Sequence, residues 1–188
     1  MEHLMTNSTV DKILDLAELQ VRAGGYNSFS FREISKEIGI KSASIHYHFP
    51  TKADLGVAIA TRYTERFSQK LAEILAGHGT AAARLTAYID LFRQSLLCDQ
   101  KMCLCGQLAS ESEVLPDPIR AATQQFFVQN LQWLALYVFA AAGLTAPVAE
   151  QRAAGLLASL EGALLMAKVL DDNAVFEQVN ANLAALLP

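Results

Sequence analysis

Apolar residues return every three or four positions along almost the whole chain, and no stretch sustains an alternation of period two, so the pattern predicts a succession of helices and no sheet. Val10, Ile13, Leu14, Ala17 and Val21 make the first ridge; Ser8 with Asp11 three residues on reads as a capping-box start, and Gly24-Gly25 as its stop. Ser30 and Glu33 form a second box, with Phe29 and Ile34 spaced as a hydrophobic staple, and a short helix runs to Ile38. Gly39 suits a left-handed turn. Ser42 can then cap another short helix, which must stop at Pro50. Thr51 and Asp54 open a long helix with Leu55, Ile59, Tyr63, Phe67, Leu71 and Ile74 along one side, ended by Gly77-His78-Gly79. Helices are predicted beyond it over about 80–98, 103–113, 117–142 and 146–170, and an amphipathic last segment spans Ala174 to Leu187. The fold class is all-α, with about nine helices.

Composition agrees. In 188 residues, 52% are hydrophobic and 18% charged, enough to bury a core without disulfide staples. Three cysteines, an odd number, do not make a secreted disulfide framework, and the opening MEHLMTNSTV lacks a charged-then-apolar signal pattern; both point to the cytoplasm. The uncharged stretch from Ala121 to Ala149 reads as a buried helix rather than a membrane span, because Gln124, Gln125, Gln129, Asn130 and Gln132 punctuate its first half. Net charge is −4, yet residues 1–70 carry +1 and the rest −5, so the acidity belongs to the C-terminal part.

From Phe31 to Leu55 the chain has the layout of a helix-turn-helix: a helix, a glycine turn, then a helix that starts on small polar residues. Ser42, Ala43 and Ser44 are short enough to let the tip of that helix enter a major groove, where its free N–H groups and dipole suit phosphate. Ile34, Ile38 and Ile45 hold the two helices together. The alternative is that Lys41, His46, His48 and Lys52 form a solvated polar face of an ordinary helical protein.

At these residues the chain resembles the TetR family of transcriptional repressors, whose pattern is an "REIA-x-x-x-G-V" helix and turn followed by an aromatic-rich "Y-x-H/Y-F-x-x-K-x-x-L". Arg32, Glu33, Ile34, Gly39, Tyr47, His48, Phe49, Lys52 and Leu55 carry the match. The family usually has an aromatic residue where His46 stands and often a Ser where Lys41 stands. The resemblance implies that Ser42, Ala43, Ser44 and His48 face bases or nearby phosphates, that Tyr47 and Lys52 anchor the DNA backbone on either side of the groove, and that Lys41 adds a phosphate contact. It implies a three-helix DNA-binding domain over residues 1–51 and a helical ligand-binding and dimerisation domain over 52–188, connected by helix 52–75. It also implies a homodimer on a palindromic operator of double-stranded DNA, released by a small-molecule effector.

The C-terminal part is less specific. Gly155, Ala158, Ser159, Gly162 and Ala163 are small residues that let another helix approach, either across a dimer interface or within one chain. Tyr88, Phe92, Leu96, Phe126, Phe127, Trp133, Tyr137 and Met166 can line a cavity, with Cys103 beside them and Gln107, Gln125 and Gln129 as polar handles; equally, they can be plain core. Cys103 and Cys105, with Cys98 close by, lie near Lys101, whose charge can lower a thiol pKa; a repressor that senses electrophiles or oxidants through Cys103 or Cys105 is therefore the second reading, against inert buried thiols. No metal or cofactor is expected, since residues two apart on a helix point to opposite sides and no His or Asp cluster has ligand spacing. No nucleophile, base and oxyanion constellation suggests an enzyme. The expected partners are double-stranded DNA, a second copy and an unidentified small molecule, and no membrane.

Overall fold

A computed structural model of the chain describes residues 8–97, 101–183 and 187; the expectations that fall on Cys98 and on the residues after Leu183 other than Leu187 lie outside them. Among the described residues there are nine α-helices and no strand: α1 (Thr9–Gly24), α2 (Phe31–Ile38), α3 (Ser42–His48), α4 (Lys52–Gly77), α5 (Ala81–Leu97), α6 (Leu104–Ala109), α7 (Asp117–Leu134), α8 (Ala146–Leu170) and α9 (Ala174–Leu183).

The helix starts follow the capping chemistry. Ser8 and Asp11 satisfy each other's backbone N–H groups at α1, and Thr51 and Asp54 do the same at α4. Ser30 Oγ accepts from the Glu33 N–H at α2. Gly39 ends α2 at φ +73°, a conformation costly for residues with a Cβ. Two local expectations are corrected. Lys41, not Ser42, occupies the N-cap of α3, and no side chain caps it. The helix expected over 103–113 is only α6, followed by turns to Val114. The helix expected to reach residue 142 does so, but through a wide π turn over Ala135–Phe139 that buries Val138 and Phe139 side by side.

Two apolar clusters organise these helices. The first joins Ile13, Val21, Phe29, Ile34, Ile45 and Phe49 around the N-terminal end of α4. The second joins α5, α7, α8 and α9 to the later part of α4. α4 therefore serves both, with Leu55, Ile59 and Ala60 in the first and Phe67, Leu71 and Ile74 in the second. The short α6 is divided in the same way: Leu104 and Leu108 are fully buried in the N-terminal cluster, while Cys105, with Met102 and Cys103 just before it, belongs to the other.

Polar ties reinforce the junction. Arg22 of α1 donates from Nε to the Met102 carbonyl (2.8 Å) and from Nη2 to Ser95 Oγ (2.8 Å). The buried Glu18 carboxylate accepts from Arg66 of α4 at 2.6–2.7 Å. The Tyr26 N–H donates to the Glu111 carboxylate (3.2 Å), which Gly25 lets close by lacking a side chain at φ +85°.

α8 is long and apolar enough to cross a membrane by length and composition. One side of it, through Ala153, Leu156, Leu160, Ala163, Leu164 and Ala167, is buried in the bundle. The other side leaves Leu165, Met166, Val169 and Leu170 exposed.

Candidate functional site

α3 stands on the surface as a short rod held by its root. Ile45 is fully buried against Ile34 and its neighbours, and Phe49 closes the far end. That leaves Lys41, Ala43, His46, Tyr47 and His48 exposed and Ser42 and Ser44 half-buried. Tyr47 is the extreme case. At 84% exposed it is a large aromatic side chain with almost no packing role in the subunit. Its ring meets that of His48 edge-on, with centroids 5.1 Å apart.

His46 and Lys52 are more constrained. His46 Nδ1 lies 3.3 Å from the Pro50 carbonyl, and its ring packs edge-on against Phe31. Lys52 Nζ sits over both the Tyr26 ring (4.8 Å) and the Phe29 ring (4.6 Å), a double cation–π arrangement that holds the ammonium at the start of α4. Burial lowers the Lys52 pKa, and the nearby carboxylates of Glu33 and Glu111 offset part of that.

A second feature lies in the C-terminal bundle. A cleft of about 460 Å³ opens between α6, α7 and α8. Met102, Phe127, Leu131, Leu157 and Leu165 give it apolar walls, and Gln107, Ser110 and Glu161 supply its polar groups. Glu161 lies over Gly106 so closely that a Cβ on that glycine would come within 2.3 Å of Oε2. Both carboxylate oxygens are buried, and among the described residues no N–H or O–H group donates to them; the Cys103 thiol is the neighbour that interacts with the carboxylate. Burial pushes this carboxyl up to about 7, with the Cys103 thiol easing the rise.

Comparison with known proteins places the chain in a family. Residues 13–59 match the family described as bacterial regulatory proteins, tetR family, and residues 81–182, more than half the chain, match the LmrA/YxaF-like transcriptional regulator C-terminal domain. The chain is a TetR-family transcriptional regulator. A TetR transcriptional regulator from Legionella pneumophila superposes with a TM-score of 0.93 at 31% identity, over 98% of this chain and 100% of that one. A TetR-family regulator from Agrobacterium tumefaciens gives 0.88 at 31% identity, over 94% and 96%. The transcriptional regulator AcuR of Cereibacter sphaeroides is 32% identical over 101 residues, 52% of this chain but only 46% of its own length. The family makes the chain a DNA-binding protein with an N-terminal helix-turn-helix, and α2, the Gly39 turn and α3 lie within the matched residues.

Within this TetR-family regulator, Lys41, Ser42, Ala43, Ser44, Tyr47, His48 and Lys52 lie together on α3 and at the start of α4. The residues proposed for a ligand cavity separate into groups. Gln107 and Phe127 line the cleft. Tyr88, Phe92, Phe126 and Trp133 instead pack on one another: Tyr88 stacks on Trp133 at 5.7 Å, and its hydroxyl donates to Asn130 Oδ1 at 2.7 Å. An aromatic stripe has the same sequence signature whether it walls a cavity or fills a core. Met166 is exposed on the outer side of α8.

Gly155 and Ala158 are exposed on α8, and Ser159 and Gly162 are half-buried, whereas Ala163 points into the subunit's own core. Cys103 and Cys105 are buried, and burial, together with the Glu161 carboxylate, pushes both thiols up rather than down. Cys103 accepts from the Gly106 N–H (3.4 Å) as the cap of α6, a packing role. Among the described residues no cluster of His, Cys, Asp or Glu could hold a metal.

Three residues of consequence escape sequence reading: Glu161, Arg22 and Glu111. A lone acid in the apolar run from Ala153 to Ala167 was a usable signal for Glu161. Arg22 and Glu111 gave none, because their partners lie about 80 residues away in sequence.

Proposed function

We propose that this regulator is a repressor that acts as a homodimer on a palindromic operator and is released when a small molecule occupies the cleft between α6, α7 and α8. The exposure of α3 carries the DNA half: an apolar root at Ile45 fixes the rod, while Tyr47 and its polar neighbours face outward with little else to do. Ser42, Ala43, Ser44 and His48 read bases or adjacent phosphates, and Tyr47, Lys52 and Lys41 grip the backbone. One such rod reads few bases. Two of them about 34–36 Å apart read both halves of a palindrome from one side of the duplex.

The outer side of α8 supplies the pairing surface, where Gly155, Ala158, Ser159 and Gly162 run beside the exposed Leu165, Met166 and Val169; Ala158, Gly162 and Leu165 also border the cleft, so the pairing surface adjoins its rim. Small residues let a second α8 approach closely, and the apolar side chains gain by leaving water. Residues 1–51 then act as the reading unit and 52–188 as the sensing and pairing unit, with α4 common to both.

Release follows from the position of α6. Its surroundings form the cleft on one side through Met102, Gly106 and Gln107, and its other side contributes Leu104 and Leu108 to the N-terminal core. A ligand that prefers a shifted α6 pushes on that core, and through the Arg22 and Glu111 ties on α1 and Tyr26, changing the tilt of α4 and the spacing of the two rods. Thiol chemistry does not enter this proposal, because buried protonated thiols are poor nucleophiles.

Footprinting the purified protein on the DNA flanking its own gene, alongside light scattering, tests the reading. Protection of a two-fold symmetric site by a particle of twice the subunit mass is expected. A monomer at working concentrations, or no protected site there, refutes it.

A further inference from the structure

The geometry points to a cationic effector: the cleft takes a small molecule with an apolar body and a protonated nitrogen, and Glu161 is the residue that pairs with that nitrogen. This rests on the cleft being the effector site proposed above, and adds the chemical class.

A cleft of about 460 Å³ falls in the range that drug-sized ligands occupy. Its walls are aliphatic and aromatic, so most of a ligand's binding energy there must come from apolar contact. Among the described residues, Glu161 is the sole ionisable one on the lining. A buried carboxylate is normally satisfied by an arginine, a lysine or several N–H donors, because an unmet one costs more than the burial returns. Here neither oxygen has such a partner among the described residues, and Gly106 leaves room for the carboxylate that any larger residue would take.

The titratable groups around it do not fill the gap. Cys103 and Cys105 at α6 and Tyr88 on α5 are all pushed up by burial, so at neutral pH they are protonated; the Cys103 thiol offers the carboxylate a weak donor, but none of the three brings positive charge. The remaining polar side chains of the cleft, Gln107 and Ser110, are neutral, and Gln107 is already engaged with Glu111 (3.4 Å). Phe127 offers an aromatic face in the same cleft, the other surface that favours a cation. A ligand ammonium therefore completes the polar end of the cleft, whereas a carboxylic acid meets an unscreened like charge.

The test uses the full-length protein and three probes matched in shape, 4-phenylbutylamine, 4-phenylbutan-1-ol and 4-phenylbutyrate, titrated calorimetrically against wild type and Glu161→Gln between pH 6 and pH 8. Release of the footprinted DNA is followed in parallel. The amine is expected to bind most tightly in wild type. Its affinity should rise about tenfold from pH 6 to pH 8 as Glu161 ionises while the amine stays charged. Glu161→Gln should lose the amine at least tenfold, abolish its pH dependence and leave the alcohol unchanged.

Equal amine binding by the two proteins, no amine binding at millimolar concentration, or an alcohol that matches the amine at pH 8 overturns the assignment. So does a changed oligomeric mass in Glu161→Gln, which would make Glu161 an interface residue. Operator release by the alcohol or the acid instead of the amine sinks the cationic class and keeps the effector cleft. Operator DNA that no cleft-bound probe releases counts against the effector reading itself.

Discussion

Tyr47 and Lys52 sit a few residues apart and separate two kinds of contribution. Tyr47 has almost no contact to lose inside the subunit, so Tyr47→Ala should leave the thermal midpoint unchanged and weaken operator binding by about 1–3 kcal/mol. Lys52 is tied to two aromatic rings, so Lys52→Ala should weaken DNA binding and also cost about 0.5–1 kcal/mol of stability by urea titration. Full operator affinity in the Tyr47 variant would remove α3 from the interface. The DNA-facing residues were legible in the sequence because their determinants are local: a box, a turn glycine, small residues and an aromatic terminus within 25 positions. Glu161 was harder to see, since its meaning depends on Gly106 and Cys103, more than 50 residues earlier.

At the level of elements, the capping pairs mark the starts of α1 and α4, and the expected span 146–170 matches α8 although no side chain caps its start; the end of α6 is where packing overrides the sequence pattern. Ser8–Asp11 and Thr51–Asp54 announce α1 and α4, and Thr51→Ala should cost about 1 kcal/mol by unsatisfying the first turn of α4. Gly39→Ala meets no steric neighbour, yet should cost a similar amount, because only the backbone at φ +73° resists it. Both are checked by chemical denaturation. A Gly39 variant as stable as wild type would mean that the turn relaxes. The early end of α6 and the π turn after α7 carry no such sequence mark. The exposed small residues of α8 and the buried Ala163 look alike in sequence because one residue on a helix turns the side chain through about 100°.

For the whole molecule, the buried carboxyl of Glu161 leaves a trace in stability against pH. Its folded-state pKa, about 7, lies above the ordinary 4.5, so the folded state holds a proton that the unfolded chain has released. Its contribution is therefore fully present below about pH 4.5 and is lost as the pH rises through about 7, a fall on the order of 3 kcal/mol. Glu161→Gln should remove that fall, so the variant should be more stable than wild type at pH 8. Equal pH profiles for the two proteins would show that the carboxylate is compensated in solution.

The double membership of α6 has a consequence for how the protein could be broken. One extra residue between Cys103 and Leu104 would rotate Leu104 and Leu108 away from their seats by about 100° relative to Met102 and Cys103. Either the surroundings of α6 repack, or the cleft and the DNA-reading head keep their separate shapes and lose their common gear. Such an insertion mutant would grip its operator whatever the cell offered it, a permanently deaf switch made by lengthening a six-residue helix by one.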